Sequence, residues 1–311
     1  MLLPELLRQQ QSRLALLIGN GINRYHAKSE QNSWDALLTQ LAKQHLKNFS
    51  GQLPSGISLT EFYDILDLRL NASRSKKKSV SLDKNLQQQF CDLMAAWRPL
   101  DQHRYIMQWA KQNKSPVLTT NFEHSLSNAV DAKFFIATSA AKTESRFTDF
   151  YPWEAYFSDQ ILEHPTAGFG IWHINGMQRY HRSIRLGLTH YMGSVERARL
   201  RLHKGAKRLS AGGEWQQWEG AHSWLQILFH QPLLIFGLGL AENEVFLRWL
   251  LIERAKYYID FPKRFQPAWY VHTSHEQDHG KLYFLQAVGV QAFEVEDYDA
   301  LYGSAAWQAA M

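Results

Sequence analysis

A single thiol, Cys91, is all the cysteine chemistry this chain of 311 residues possesses. With no second cysteine, intramolecular disulfides and cysteine-cage zinc sites are excluded. Cys91 falls in a helical pattern with Phe90 and Met94 and reads as a small buried hydrophobe. Long apolar runs are also missing. The longest candidate, Pro232 to Leu240, is strand length, short of the roughly 18 residues that span a bilayer. Mean hydropathy is negative at -0.38. The first residues, Met1-Leu2-Leu3-Pro4-Glu5-Leu6-Leu7-Arg8, lack the basic start and long apolar stretch of a signal peptide. The expectation is a cytoplasmic protein that does not enter a membrane.

Apolar residues are plentiful at 45%, and eleven tryptophans are among them, so a large buried core is available. The net charge of +5 permits contact with anions. Two clusters hold much of the excess. Arg74-Ser75-Lys76-Lys77-Lys78 reads as a solvated polar loop, and the run Arg197 to Arg208, interleaved with Leu200 and Leu202, as the wet face of a helix. Nucleic-acid binding requires such charges on one face beside stacking aromatics. That pattern is not established by the sequence.

Strand-like runs lie at Leu14–Ile18, Val117–Thr120, Phe134–Ile136, Gly170–Ile174, Leu233–Gly237, Trp269–His272 and Val290–Val295. Helical faces fall between them: Trp34, Leu37, Leu38 and Leu41; Phe62, Ile65, Leu66 and Arg69; Leu86, Phe90 and Leu93; and Val245, Trp249, Ile252 and Ala255. Alternation of this kind predicts an α/β fold, a Rossmann-like, mostly parallel six-stranded sheet with helices on both faces. Helical insertions are expected at about 50–100 and about 180–221, the second with a turn or hinge at Ala211-Gly212-Gly213.

Four motifs carry chemistry. The first is Gly19-Asn20-Gly21-Ile22-Asn23, directly after the apolar run that ends at Ile18. A buried strand breaking into a glycine turn and a helix brings backbone N–H groups and a helix dipole to a pyrophosphate. The second is Thr119-Thr120-Asn121-Phe122-Glu123, where Asn121 can orient a ribose hydroxyl or a water. A helix N-cap at Thr120 or Asn121 is the alternative. The third is Gly170-Ile171-Trp172-His173-Ile174-Asn175-Gly176, whose period of two puts His173 and Asn175 on one face. A histidine there can accept a proton at neutral pH, and it can equally be a hydrogen-bonded structural residue. The fourth is Gly237-Leu238-Gly239-Leu240 followed by Glu242, another strand-end turn. Its glycines suit the adenosine half of a dinucleotide, or simply tight strand–helix packing.

Taken in order, these motifs resemble the sirtuin-like superfamily, specifically its bacterial branch of NAD-consuming antiphage-defence effectors. Trp34-Asp35-Ala36-Leu37-Leu38 and Phe246-Leu247-Arg248-Trp249-Leu250-Leu251 resemble it too. The resemblance implies one NAD-binding domain over residues 1–311, with NAD between a Rossmann-like sheet and a small helical module. It implies Asn121 as the catalytic asparagine, and Gly19, Asn20, Gly21, Ile22 and Asn23 as the pyrophosphate and nicotinamide loop. Thr120, Glu123 and Asn175 would join the cofactor contacts, and Gly237, Gly239 and Glu242 the adenosine-side turn.

The chain departs from that pattern at two points. The family's histidine usually precedes the motif glycine, where Asn175 stands here, so His173 is the substitute base. Glu123 replaces the commoner Asp and keeps the charge. The lone cysteine cannot build the zinc ribbon of protein-deacylating relatives. The expected reaction is therefore hydrolysis of NAD to nicotinamide and ADP-ribose, without a metal. A homo-oligomer or an operon-encoded defence partner is implied alongside. The competing expectation is a non-hydrolytic NAD or ADP-ribose sensor that regulates a partner. A redox dehydrogenase is disfavoured, because no acidic strand end follows about twenty residues after the first glycine turn.

Overall fold

The computed structural model describes residues 1–26, 32–74, 86–137, 151–214, 216–242, 244–276 and 278–310. Along the chain the elements are α1 (Leu3–Gln10), β1 (Ala15–Ile18), α2 (Gly21–Arg24), α3 (Trp34–His45), α4 (Leu59–Arg74), α5 (Leu86–Met94), α6 (Asp101–Gln112), β2 (Val117–Thr119) and α7 (Ser125–Asn128). Then follow β3 (Lys133–Ile136), β4 (Ala155–Ser158), β5 (Ile171–His173), α8 (Leu188–His203), α9 (Leu225–His230), β6 (Leu233–Phe236) and α10 (Val245–Asp260). The chain closes with β7 (Ala268–Thr273), α11 (His279–Ala287), β8 (Val290–Val295), α12 (Tyr298–Tyr302) and α13 (Ser304–Gln308).

The strands form one eight-stranded sheet in the order β3-β4-β5-β2-β1-β6-β7-β8. From β5 to β8 every pairing is parallel, with Leu17 opposite Leu118 on one side and Ile235 on the other. The chain leaves β1 toward β2 and later returns to β6 on the opposite side of β1. That reversal is the topological switch point of a doubly wound sheet, where α/β proteins bind ligands. The α/β expectation is met. The expected six strands are eight: all seven strand-like runs join the sheet, and β4, which is not among them, pairs antiparallel with β3 and β5. Ala-Tyr-Phe-Ser of β4 is too short and too aromatic to show a strand period, yet all four residues are buried.

Alternation along the parallel strands sends side chains into two cores. Leu17, Leu118, Trp172, Ile174 and Ile235 pack under α8, α9 and α10 through residues such as Tyr191, Leu228, Phe246 and Leu250. Leu16, Ile18, Val117, Ile171 and Phe236 pack against α1, α6 and α13 through Leu7, Ile106, Trp109 and Trp307. A third core joins α3, α4 and α5 through Leu41, Phe62, Leu66, Phe90 and Cys91. Phe122 enters this last core, and Trp34 stacks on it at 4.4 Å. Thus the helical module is seated on the residue between Asn121 and Glu123. Cys91 is buried there, and its carbonyl accepts a 2.8 Å hydrogen bond from Gln178.

The stripe read on α10 is rotated in the structure. Its buried face carries Phe246, Leu247, Leu250, Leu251, Arg254, Tyr257 and Tyr258, whereas Ile252 is exposed. The cause is Arg254, a charge that hydropathy assigns to solvent. It is buried and donates to the carbonyls of Leu228, Gln231 and Gln266, which satisfy it inside the core. Of the basic cluster Arg74 to Lys78, Arg74 ends α4 and the remainder lies outside the described residues. No helix among the described residues is long and apolar enough to cross a membrane.

Candidate active site

Both glycine turns sit at the switch point, at the carboxyl ends of β1 and β6, and they interlock. Gly19 N–H donates to the Phe236 carbonyl and Gly21 N–H to the Gly237 carbonyl, each at 2.9 Å. A Cβ on Gly19 would lie 2.4 Å from the Gly237 oxygen. A Cβ on Gly21 would lie 2.6 Å from the Tyr302 hydroxyl and 2.7 Å from Gly237 Cα. Close approach of two backbones and one phenol therefore requires these glycines. The expected helix N-terminus does not materialise as an anion seat. α2 spans only Gly21–Arg24, and the Gly21 and Asn23 N–H groups are bonded to Gly237 and Asn20 carbonyls. A turn this short lacks the aligned peptides of a macrodipole. Gly237 adopts φ +70, whereas Gly239 and Glu242 are exposed on the outer part of their turn.

Beside the turns, at the end of β2, Thr120, Asn121 and Glu123 are all buried. Asn121 Nδ2 donates to the Gly19 carbonyl over a long 3.4 Å, and Asn121 Oδ1 is sealed without a partner. The α7 helix begins only at Ser125, so Asn121 is not its cap. Glu123 Oε1 accepts from Asn23 Nδ2 at 2.9 Å, while its Oε2 has no partner. Burial raises the Glu123 carboxyl above the ordinary range, and hydrogen bonds from Asn23 and Asn121 pull against it. Ile22 is buried, and its carbonyl accepts from Gln102. Asn20 reaches the Asn32 carbonyl at 3.0 Å.

His173 is fully buried at the end of β5, with its Nδ1 2.7 Å from the Asn121 carbonyl. A carbonyl can only accept, so Nδ1 carries the proton and Nε2 holds the lone pair. That Nε2 has no partner. Burial lowers the imidazole to about 4, against the opposing bond to Asn121. His173 is thus neutral at pH 7, in the tautomer a general base needs.

The expectation that His173 and Asn175 share a face fails. His173 packs edge-on against Phe157 and His124, with ring centroids 5.8 and 5.7 Å away. Asn175 Nδ2 instead reaches the Tyr191 hydroxyl on α8, at 3.4 Å, in the opposite core. The strand ends at His173, and Gly176 at φ +96 turns the chain, so the period of two no longer applies.

Sequence reasoning passed over five neighbours. His124 Nε2 is sealed without a partner, and burial, with help from His173 and Arg179, lowers its imidazole to about 3. Glu244 lies close enough to Tyr191 to raise its phenol further, and burial pushes the Glu244 carboxyl up to about 7. Tyr302 places its buried, unpartnered hydroxyl where a Cβ on Gly21 or Gly237 would stand. His103 bonds Asn23 from α6. His124 and Glu244 adjoin the second and fourth motifs but carry no spacing that marks them, whereas Tyr191, Tyr302 and His103 meet the site from distant parts of the chain, where no local pattern signals them. An open cleft of about 950 Å³ lies on the far side of Gln102, lined also by Tyr25, Trp97, Tyr105 and Asp299.

Neither a scan of protein-family models nor a search of curated proteins finds a match to this chain. Among the described residues no group of three His, Cys, Asp or Glu side chains could hold a metal ion. Chemically, the arrangement offers a fixed amide, a buried carboxyl and a neutral imidazole around one strand end.

Proposed function

We propose that the protein hydrolyses NAD to nicotinamide and ADP-ribose. The observation that carries this reading is that the neighbouring carboxyl ends of β2 and β5 hold buried polar atoms without partners: Asn121 Oδ1, Glu123 Oε2 and His173 Nε2. Each such atom costs about 1–3 kcal/mol when left unsatisfied in the interior. A polyhydroxylated ligand would repay them: Asn121 Oδ1 accepts from a ribose hydroxyl and Glu123 Oε2 interacts with the carboxamide. His173 Nε2 takes the proton of the attacking water as nicotinamide departs neutral from its cationic ring. Water adds across the glycosidic bond, and one proton is released. Entry requires the interlocked turns to part, since Asn121 and His173 are fully enclosed. Such closure suits a defence effector that acts on cytoplasmic NAD only when triggered, through self-association or an operon partner.

The test is incubation of the purified protein with NAD, followed by chromatography for nicotinamide, in parallel with Asn121→Ala. Release by the wild type and none by the variant is expected. A second reading, a non-hydrolytic NAD or ADP-ribose sensor, is favoured by Asn175, which stands in the usual base position and bonds Tyr191. Retention of labelled NAD without nicotinamide release would select it.

A further inference from the structure

Asn23 is a buried side chain that touches both glycine-turn and carboxyl components of the site. Its Nδ2 donates to Glu123 Oε1 at 2.9 Å and to Asn20 Oδ1 at 2.8 Å, so both amide protons are engaged. Its Oδ1 lies 2.9 Å from His103 Nε2. An asparagine amide is nearly symmetric in shape, and only its partners decide which end is oxygen.

His103 decides it. The Leu100 N–H donates to His103 Nδ1 at 3.0 Å, which requires a bare nitrogen there. The ring proton is then on Nε2, which donates to Asn23 Oδ1. Burial, the main cause, lowers the His103 imidazole to about 4, so a second ring proton is absent at pH 7. Histidine here occupies the third position of α6, where a Glu or Gln side chain reaching back to the N-cap N–H completes a capping box. His103 performs that reach with one nitrogen and faces Asn23 with the other. The neighbouring Gln102 donates to the Ile22 and Tyr25 carbonyls at 2.8 Å each, holding the same turn at the right distance.

We propose that His103 is a positioning residue of the candidate site: its tautomer, set by the Leu100 amide, dictates that Asn23 presents its NH₂ rather than its oxygen to Glu123. A reversed amide would set NH₂ against the His103 N–H and oxygen against both Glu123 Oε1 and Asn20 Oδ1, three mismatches at once. Burial raises the Glu123 carboxyl, and Asn23's donation is the strongest of the hydrogen bonds that draw it back down. His103 therefore biases the titration of a carboxyl that it never touches. This extends the NAD reading and rests on it for catalytic meaning, although the orientation itself does not.

The decisive experiment on the unaltered protein is nitrogen NMR of ¹⁵N-histidine-labelled material at neutral pH. A neutral His103 protonated on Nε2 is expected. Protonation on Nδ1, or a cationic ring, would overturn the inference whether or not the protein acts on NAD. The consequence is read in His103→Leu and His103→Gln, following the infrared carboxyl band of isotope-labelled Glu123 across pH. The Leu variant should raise the Glu123 midpoint and weaken titrated NAD binding about tenfold, the loss of one hydrogen bond's worth of orientation. Gln keeps both an acceptor for Leu100 and a donor for Asn23, and should stay near the wild type. An unshifted Glu123 midpoint in a folded Leu variant would refute the relay. If the Leu variant does not fold, the wild-type tautomer still decides. Absence of NAD binding by the wild type would count against the proposed function alone.

Discussion

The Nδ1 proton of His173 is held by the main-chain carbonyl of Asn121, 2.7 Å away, so the two strongest candidates for catalysis are joined through backbone rather than side chain. Replacing the Asn121 side chain leaves that bond in place. Asn121→Ala should therefore keep the His173 tautomer and the fold, because the lost amide made a long 3.4 Å bond to Gly19 and the weakest of the hydrogen bonds that act on Glu123. Nicotinamide release should disappear in this variant. Undiminished release would remove Asn121 from the mechanism. His173→Ala should lower turnover by roughly the 10²–10⁴-fold of a general base, with an unchanged rate counting against His173 alone.

Gly21→Val tests the interlock of the turns. Its Cβ would meet Gly237 Cα at 2.7 Å, and that atom is backbone that cannot swing aside. The expected result is destabilisation of about 2–3 kcal/mol, in the range of overpacking, seen as a lower denaturation midpoint with unchanged slope. An unchanged midpoint would show that the two turns are not in contact.

Tyr302→Phe should act in the opposite direction. It deletes a buried hydroxyl that has no hydrogen-bond partner. A gain of about 1 kcal/mol, or about 2–4 °C in Tm, is expected by differential scanning calorimetry. A lower Tm would mean that the hydroxyl is bonded in solution.

Arg254→Met conserves length and removes the charge. Three carbonyls, from Leu228, Gln231 and Gln266, would lose their donor, with an expected loss of about 3 kcal/mol in chemical denaturation. A smaller loss than Ile252→Ala, on the exposed face, would refute the rotated packing of α10.

Acid should destabilise the fold early. Burial lowers His103 and His173 from 6.5 to about 4, so the unfolded chain binds more protons than the folded one between those values. Stability contributed by keeping these rings neutral is complete above pH 6.5 and falls as pH drops toward 4. Glu244, raised to about 7, opposes this, since its folded form gains protons first as pH falls below 7. Glu123, also raised by burial, opposes it too, but His124, His190 and His230 are lowered with His103 and His173, and these five depressed imidazoles against two raised carboxyls give a net decline in Tm from pH 6.5 to 4. A Tm that rises over this interval would contradict the burial of these rings.

Much of the framework was legible in sequence because parallel strands are buried on both faces. Runs such as Leu14–Ile18 and Leu233–Gly237 have no other use for so many apolar residues. The helical character around Phe62 and Phe90 was legible from its period. The α10 face was misread because Arg254 is satisfied by carbonyls that hydropathy does not register. Asn121 and Glu123 could be located as strand-end residues, but Asn175 could not be oriented, since that depends on a positive φ at Gly176. His103 and Tyr302 were invisible for a plainer reason: each meets the glycine turn across a long stretch of chain, and only folding makes them neighbours.

The lone thiol of Cys91 is a clock built into the wild-type chain. It is 3% exposed, burial pushes it up to about 12, and its own carbonyl is tied to Gln178 just past Gly176. Reagent can reach it only when α5 lifts from its neighbours, so the rate of alkylation in native buffer counts those openings directly. Comparing that rate with and without a nucleotide would time the breathing of the helical module without introducing a single label.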